Sequence, residues 1–177
     1  DDFPGLIQGQ EIHGKTVGII GTGTIGIHTA KLFKAFGAKV LGYNRSEKQE
    51  AIDAGVEYVS LDTLIKESDI ISIHLPMTED TKHTIGEREL DNMKESAILI
   101  NVARGPIIDN EALANALNEG KIAGAGIDVF DQEPPLDKNY NLLNADNTVL
   151  SPHIAYYTHE AMEKRFKIVV NNIESYL

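Results

Sequence analysis

Three polar side chains lie just beyond apolar, strand-like stretches, and their types suit work on a small carboxylic acid. Arg104 and His153 each follow such a stretch directly, and Glu133 lies just beyond a third. An arginine guanidinium matches a carboxylate with two hydrogen bonds, and a histidine gives or takes a proton near neutral pH. A neighbouring carboxylate stabilises the imidazolium ion. Beside a nicotinamide cofactor, which carries the hydride, this set favours reduction of a 2-keto acid.

Each of these residues also has a purely structural alternative. Arg104 begins an Arg-Gly-Pro turn, Glu133 precedes two prolines, and His153 follows a proline. Asp128, near the end of another apolar stretch, could cap a loop. Their common position favours function, because open α/β sheets bind ligands at the carboxyl ends of their strands.

A glycine-rich segment follows the first predicted strand and precedes the first predicted helix. It reads Gly21-Thr22-Gly23-Thr24-Ile25-Gly26. The spacing G-x-G-x-x-G between a strand and a helix is typical of dinucleotide binding, with the pyrophosphate at the helix N-terminus. The alternative is a tight strand-to-helix turn without a ligand.

The end of the second predicted strand bears on which cofactor binds. An enzyme that uses NAD usually has an acidic residue there for the ribose hydroxyls, but this chain has Asn44-Arg45-Ser46. Arg45 could bind a 2′-phosphate, with Ser46 donating a hydrogen bond. Alternatively, Arg45 is a solvated charge and Asn44 binds the ribose of NAD. We therefore expect NADP or NAD, with a lean to NADP.

The elements that position these residues alternate between short β-rich runs and helical patterns. This alternation predicts an α/β fold, a Rossmann-type doubly wound parallel sheet in three αβα layers. Strands are predicted at 16–20, 39–43, 57–59, 70–73, 97–102, 124–130 and 148–150. Helices are predicted at 25–36, 46–54, 61–67, 110–118 and 159–176, with one or two short ones in 78–92 and Thr158 as the N-cap of the last.

Composition excludes several classes of protein. The 177 residues carry 16 Lys and Arg against 27 Asp and Glu, so the net charge of −11 disfavours binding to nucleic acid or anionic lipid. There is no cysteine, which rules out disulfides and thiolate chemistry and suits a cytoplasmic protein. The histidines lack metal-ligand spacing, and no apolar run approaches a membrane span. We expect no metal site.

Five motifs together resemble the nucleotide-binding domain of the D-isomer-specific 2-hydroxyacid dehydrogenases. They lie, in the order found in that family, at 13–26, 72–76, 101–105, 126–130 with Glu133-Pro134, and 151–155. The resemblance implies that Arg104 binds the substrate carboxylate, that His153 is the acid/base, and that Glu133 pairs with it. It further implies that Asp128 holds the carboxamide side of the nicotinamide. Cofactor contacts are also assigned by resemblance to His74, Pro76, Val102 and Ala103.

The residues after His153 indicate a subgroup. Tyr156 and Tyr157 resemble the aromatic pair of the D-lactate dehydrogenase branch, so Tyr156 either walls a pocket for a short side chain or simply packs. The sequence Asn44-Arg45-Ser46 departs from the acidic residue of that branch and resembles the NADP-using glyoxylate and hydroxypyruvate reductases. The two features favour different substrates.

The resemblance also bears on organisation. Members of the family are about twice as long and have a second, substrate-binding domain, so we expect residues 1–177 to be an excised dinucleotide-binding domain. The family commonly forms homodimers through this domain. One alternative to an enzyme is a binding module of the corepressor type, in which the dinucleotide regulates assembly without turnover. A second is an inert scaffold half that does not respond to cofactor.

Overall fold

A computed structural model, which describes residues 9–132 and 135–176, contains one seven-stranded sheet in which every pairing is parallel. The strands are β1 (Thr16–Ile20), β2 (Lys39–Tyr43), β3 (Val56–Tyr58), β4 (Ile70–Ile73), β5 (Ile98–Asn101), β6 (Gly124–Ile127) and β7 (Thr148–Leu150). The helices are α1 (Thr24–Ala35), α2 (Gln49–Asp53), α3 (Leu61–Glu67), α4 (Glu87–Asp91), α5 (Asn110–Asn118) and α6 (His159–Tyr176), with short 3₁₀ turns at Gly105–Ile107 and Asn141–Asn144. The Rossmann-type fold predicted from the sequence is confirmed.

The strand order is β3-β2-β1-β4-β5-β6-β7, so the chain reverses direction across the sheet after β3. β1 and β4 lie side by side, with Ile20 opposite Ile73 at their carboxyl ends. In an open parallel sheet, a crevice forms where the connections on either side of such a reversal diverge. The cofactor edge of the sheet is therefore expected above β1 and β4.

Two clusters of buried apolar side chains hold the helices against the sheet. The larger includes Ile71, Ile73 and Leu99, and the smaller includes Val17 and Ile19. Parallel strands covered on both faces read as nearly continuous apolar runs, which explains why the strands could be found in the sequence.

Helix α1 buries a different face from the one its large apolar residues mark. Ile25, Leu32 and Phe36 are 70%, 53% and 61% exposed. The buried residues are Gly26, Ile27 and Ala30. Small residues let α1 lie close to β1, where its N-terminus meets the glycine-rich segment.

Several boundaries differ from the prediction, a 3₁₀ turn appears where a loop is predicted, and one helix is less buried than its pattern suggests. Helix α2 begins at Gln49 instead of residue 46, β6 ends at Ile127 instead of residue 130, and a 3₁₀ turn lies in the predicted loop before residue 145. The N-cap of α6 is confirmed, because the backbone N–H of Ala161 donates to Thr158 Oγ1 at 3.1 Å. However, α6 has no buried residue. None of the helices in the described ranges is long and apolar enough to cross a membrane.

Candidate functional site

The glycine loop, residues 21–26, turns sharply at the carboxyl end of β1. Gly21 has a φ of +97°, which favours glycine. A Cβ there would lie 2.7 Å from the carbonyl carbon of His74, so no larger residue fits without movement. The loop is fastened on both sides, because Gly21 N–H donates to Tyr43 O at 2.8 Å and His74 N–H donates to Ile20 O at 2.7 Å.

The far side of this loop is open and suited to an anion. A Cβ on Gly23 would meet no atom within 4 Å, and Thr24 and Ile25 are exposed. The first turn of α1 contains no acidic residue. The backbone N–H groups at a helix N-terminus and the positive end of its dipole attract phosphate. The predicted cofactor residues Gly21, Gly23, Thr24, Ile25 and Gly26 therefore form a cradle that fits a pyrophosphate.

The ribose loop, residues 44–48, follows β2 beside the glycine loop. The side-chain amide of Asn44 donates to the carbonyl of Ser46 at 2.9 Å, which folds the loop back on itself. This turn explains why α2 starts later than predicted. Arg45 is exposed. No carboxylate of the described ranges lies within ion-pair distance of it, so its guanidinium can receive a phosphate.

The residues after β4 meet the glycine loop through their backbone. The His74 ring lies 2.9 Å from the Ser72 hydroxyl, measured from Nε2 to Oγ. Burial lowers the pKa of His74 to about 4, so the ring is neutral at physiological pH. Pro76 is exposed, and its carbonyl accepts a hydrogen bond from Thr81 Oγ1 at 2.7 Å.

A buried asparagine shapes the loop that presents Arg104. The side chain of Asn101 is fully buried at the end of β5. Its oxygen accepts from Ala103 N–H at 3.0 Å, and its amide nitrogen donates to Arg104 O at 2.9 Å. Arg104 is exposed, with Nη1 donating to Ala103 O at 2.6 Å. Val102 is exposed and Ala103 is buried. Asn101 thus fixes the backbone while the guanidinium stays accessible.

Asp128 holds the loop that carries the candidate acid/base. Oδ1 accepts from Ser151 Oγ at 2.6 Å and from Ile154 N–H at 2.8 Å, and Oδ2 accepts from Ala155 N–H at 2.9 Å. Burial raises the pKa of Asp128, but the hydrogen bonds from Ser151 and the two amides outweigh it, so the pKa lies below its ordinary value. The carboxylate is therefore ionised and acts as a clamp on residues 151–155. Its predicted role toward the nicotinamide stays a prediction.

This clamp holds His153 in an unusual backbone conformation. His153 has a φ of +55°, in the left-handed region that non-glycine residues seldom adopt. Its N–H donates to the carbonyl of Asp128 at 2.7 Å. The half-buried ring packs edge-to-face against Tyr156, with centroids 5.8 Å apart. Tyr156 is about half exposed, so it flanks the histidine at the surface.

Backbone hydrogen bonds tie these loops to one another across the sheet edge. Asp128 N–H donates to Asn101 O at 3.0 Å, and His153 N–H donates in turn to Asp128 O. Arg104 and His153 are thereby presented on the same edge as the glycine loop. Glu133, the predicted partner of the histidine, lies outside the described residues. Within the described ranges, no three His, Cys, Asp or Glu side chains form a metal-binding group.

Several residues support this edge although the sequence alone assigns them no role beyond their place in a motif. Asn101, Ser72 and Ser151 support the predicted residues, and each is a polar residue within or next to an apolar strand. A polar residue at such a position costs free energy unless its hydrogen bonds are satisfied. That signal could have identified them as supports, but it does not say which neighbours they bind.

Comparison with known proteins agrees with this geometry. The family described as D-isomer specific 2-hydroxyacid dehydrogenase, NAD binding domain, matches residues 3–155. A glyoxylate reductase from Thermococcus litoralis is 50% identical over 171 residues, which are 96% of this chain and 51% of that protein. The chain thus spans about half the length of the curated relatives it matches.

Two solved structures are similar as well. The D-lactate dehydrogenase of Aquifex aeolicus, complexed with NAD and lactic acid, superposes with a TM-score of 0.89 at 39% identity, covering 96% of this chain and 55% of that one. An acyclic imino acid reductase in complex with NADPH and D-Arg gives a TM-score of 0.83 at 39% identity, covering 94% of this chain and 52% of that one.

Proposed function

Because the chain belongs to the D-isomer-specific 2-hydroxyacid dehydrogenase family, whose NAD-binding domain it contains, we propose that it is the cofactor-binding half of a reductase. The enzyme transfers a hydride between a nicotinamide cofactor and a small 2-keto or 2-hydroxy acid. The observation that carries this proposal is the shared sheet edge, on which an open glycine cradle, an accessible Arg104 and a clamped His153 all lie. A second domain completes the pocket.

Different residues carry out substrate binding, proton transfer and positioning in this reaction. A bound nicotinamide cofactor supplies the hydride. Arg104 binds the substrate carboxylate through its guanidinium and so orients the neighbouring C2 carbonyl. His153, as imidazolium, donates its proton to the C2 oxygen during reduction and takes it back during oxidation. By the family resemblance, Glu133 is assigned to stabilise the charged ring, and Asp128 holds the histidine loop in register with the sheet.

The ribose loop supports NADP as the preferred cofactor. Arg45 and Ser46 offer a charge-assisted contact and a hydroxyl, and Asn44 carries no charge that would repel a 2′-phosphate. The acyclic imino acid reductase was solved with NADPH, which is compatible with this preference, whereas the D-lactate dehydrogenase was solved with NAD. Tyr156 then limits the substrate side chain beside His153. A homodimer and a cytoplasmic location stay predictions.

Turnover by the whole protein tests the proposal. The oxidation of NADPH or NADH is followed by the loss of absorbance of the reduced nicotinamide. The substrates are glyoxylate, hydroxypyruvate and pyruvate, and glycolaldehyde is the matched compound that lacks a carboxylate. We expect turnover with at least one 2-keto acid and a rate at least about 100-fold lower with glycolaldehyde, because Arg104 then has no carboxylate to bind. Binding of cofactor without turnover of any 2-keto acid would favour the corepressor-type module instead.

A further inference from the structure

One phenol oxygen contacts both the glycine loop after β1 and the ribose loop after β2. Tyr58, the last residue of β3, has its hydroxyl 2.6 Å from Thr22 Oγ1. The same oxygen accepts the backbone N–H of Lys48 at 3.1 Å. Thr22 is in the glycine loop, and Lys48 ends the ribose loop just before α2. Tyr58 thus connects the glycine loop to the ribose loop.

The connection lies in a tightly packed part of the sheet. Thr22 is fully buried, and Tyr58 is half-buried. A Cβ on Gly42 of β2 would lie 3.3 Å from Thr22 Cγ2 and would also press on Val56 Cγ1. The absence of a side chain at Gly42 therefore leaves the room in which Thr22 and Tyr58 meet. Packing of this kind allows little sliding of one loop past the other.

The rest of the ribose loop depends on few contacts. Arg45, Ser46 and Lys48 are exposed, and Asn44 closes the turn through a single bond to Ser46 O. The Gly21 N–H bond to Tyr43 O fixes the start of this loop, and the Tyr58 bond to Lys48 N–H relates its far end to the glycine loop. Charge-assisted contacts to phosphate are roughly twice as strong as neutral hydrogen bonds, and a bidentate arginine contact also requires a defined geometry. A shift of the loop would consequently affect a 2′-phosphate most.

We propose that Tyr58 is a positioning residue that sets the distance between the glycine loop and the ribose loop, and thereby the discrimination between 2′-phosphorylated and unphosphorylated dinucleotides. The inference rests on the proposed function, because it assumes that a nicotinamide dinucleotide binds along this edge. Tyr58 acts through Thr22 and Lys48 and makes no assumed contact with the cofactor itself.

The test measures the affinities of NADPH and NADH by calorimetry for wild type and Tyr58→Phe. We expect the substitution to weaken NADPH binding about tenfold and NADH binding less than about threefold, because only the position of the ribose loop changes. Thr22→Val removes the partner hydroxyl and should lower the NADPH/NADH affinity ratio in the same way. Thr22→Ser restores the hydroxyl and should restore the ratio.

Tyr140→Phe is the matched control. It removes a hydroxyl that donates to Asp131 Oδ1 at 2.6 Å, in the loop region between β6 and β7. Urea midpoints measured on all variants show that each is folded. An unchanged NADPH/NADH ratio in folded Tyr58→Phe, or an equal change in Tyr140→Phe, would overturn the role of Tyr58 alone. Wild-type protein that binds neither nucleotide would overturn the proposed function together with this inference.

Discussion

Replacement of Asp128 by asparagine tests whether this carboxylate holds the histidine loop. In the wild type, the N–H of Ala155 donates to Asp128 Oδ2 at 2.9 Å. Asparagine keeps one acceptor oxygen for Ser151 and Ile154, but its amide NH₂ faces the N–H of Ala155 and cannot accept that bond. Hydrogen bonds to a charged group contribute about 1.5–3 kcal/mol each, about twice the neutral value. Loss of one such bond and weakening of the others should lower the free energy of unfolding by about 2–4 kcal/mol.

The measurement is urea denaturation at neutral pH, followed by circular dichroism. Asp146→Asn is the matched control, since it makes the same chemical change at an exposed position and should alter the unfolding free energy by less than about 0.5 kcal/mol.

The pH dependence of the free energy of unfolding provides a second test of the clamp. The pKa of Asp128 is lowered in the folded protein, so its contribution is complete above the unfolded value of about 3.9 and is lost as the pH falls through the folded pKa. The difference between wild type and Asp128→Asn should therefore shrink at acid pH. A variant as stable as wild type at neutral pH, or a difference independent of pH, would refute the clamp.

Further predictions concern the cofactor preference, the acid/base and the lowered pKa of His74. Arg45→Asp should move the NADPH/NADH affinity ratio toward NADH by at least about tenfold, with Lys48→Asp as a control for charge alone; calorimetry that shows an unchanged ratio would remove Arg45 from phosphate binding. In the whole protein, His153→Ala should lower kcat by at least about 100-fold, and near-normal turnover would exclude it as the acid/base. Because the pKa of His74 falls to about 4 in the folded protein, its contribution to stability is present above the unfolded value of about 6.5 and is lost as the pH falls toward 4. The free energy of unfolding of wild type should therefore fall by up to about 3 kcal/mol between these two pH values, whereas that of His74→Asn should not. Parallel plots of unfolding free energy against pH for the two proteins would contradict the lowered pKa of His74.

The strands and the positions after them could be predicted because both depend on local pattern. Strands buried on both faces, such as β4, are apolar runs that end where a polar residue or proline begins. The positions of Gly21 and Arg104, just after β1 and β5, are predictable for the same reason. The helix 46–54 was predicted too long because the Asn44 bond to Ser46 O and the Tyr58 bond to Lys48 N–H replace its first turn.

The supporting contacts could not be predicted, because they join residues distant in sequence. Asp128 binds the backbone of Ile154 and Ala155, which follow His153 and its left-handed φ, and no local sequence pattern announces that contact. The burial of α6 could not be predicted either, because an amphipathic pattern indicates that a helix has an apolar face but not what covers it. Accordingly, α6 is regular yet has no buried residue.

Calorimetric titration of the 177-residue chain with NADPH and, separately, with NADH tests whether the glycine loop binds a nicotinamide dinucleotide. We expect saturable 1:1 binding of both nucleotides, tighter for NADPH, and loss of both in Gly23→Asp. That substitution places a carboxylate in the open space where the pyrophosphate should lie. If neither nucleotide binds, or if folded Gly23→Asp binds as tightly as wild type, the glycine loop is only a turn and the proposed cofactor edge is wrong.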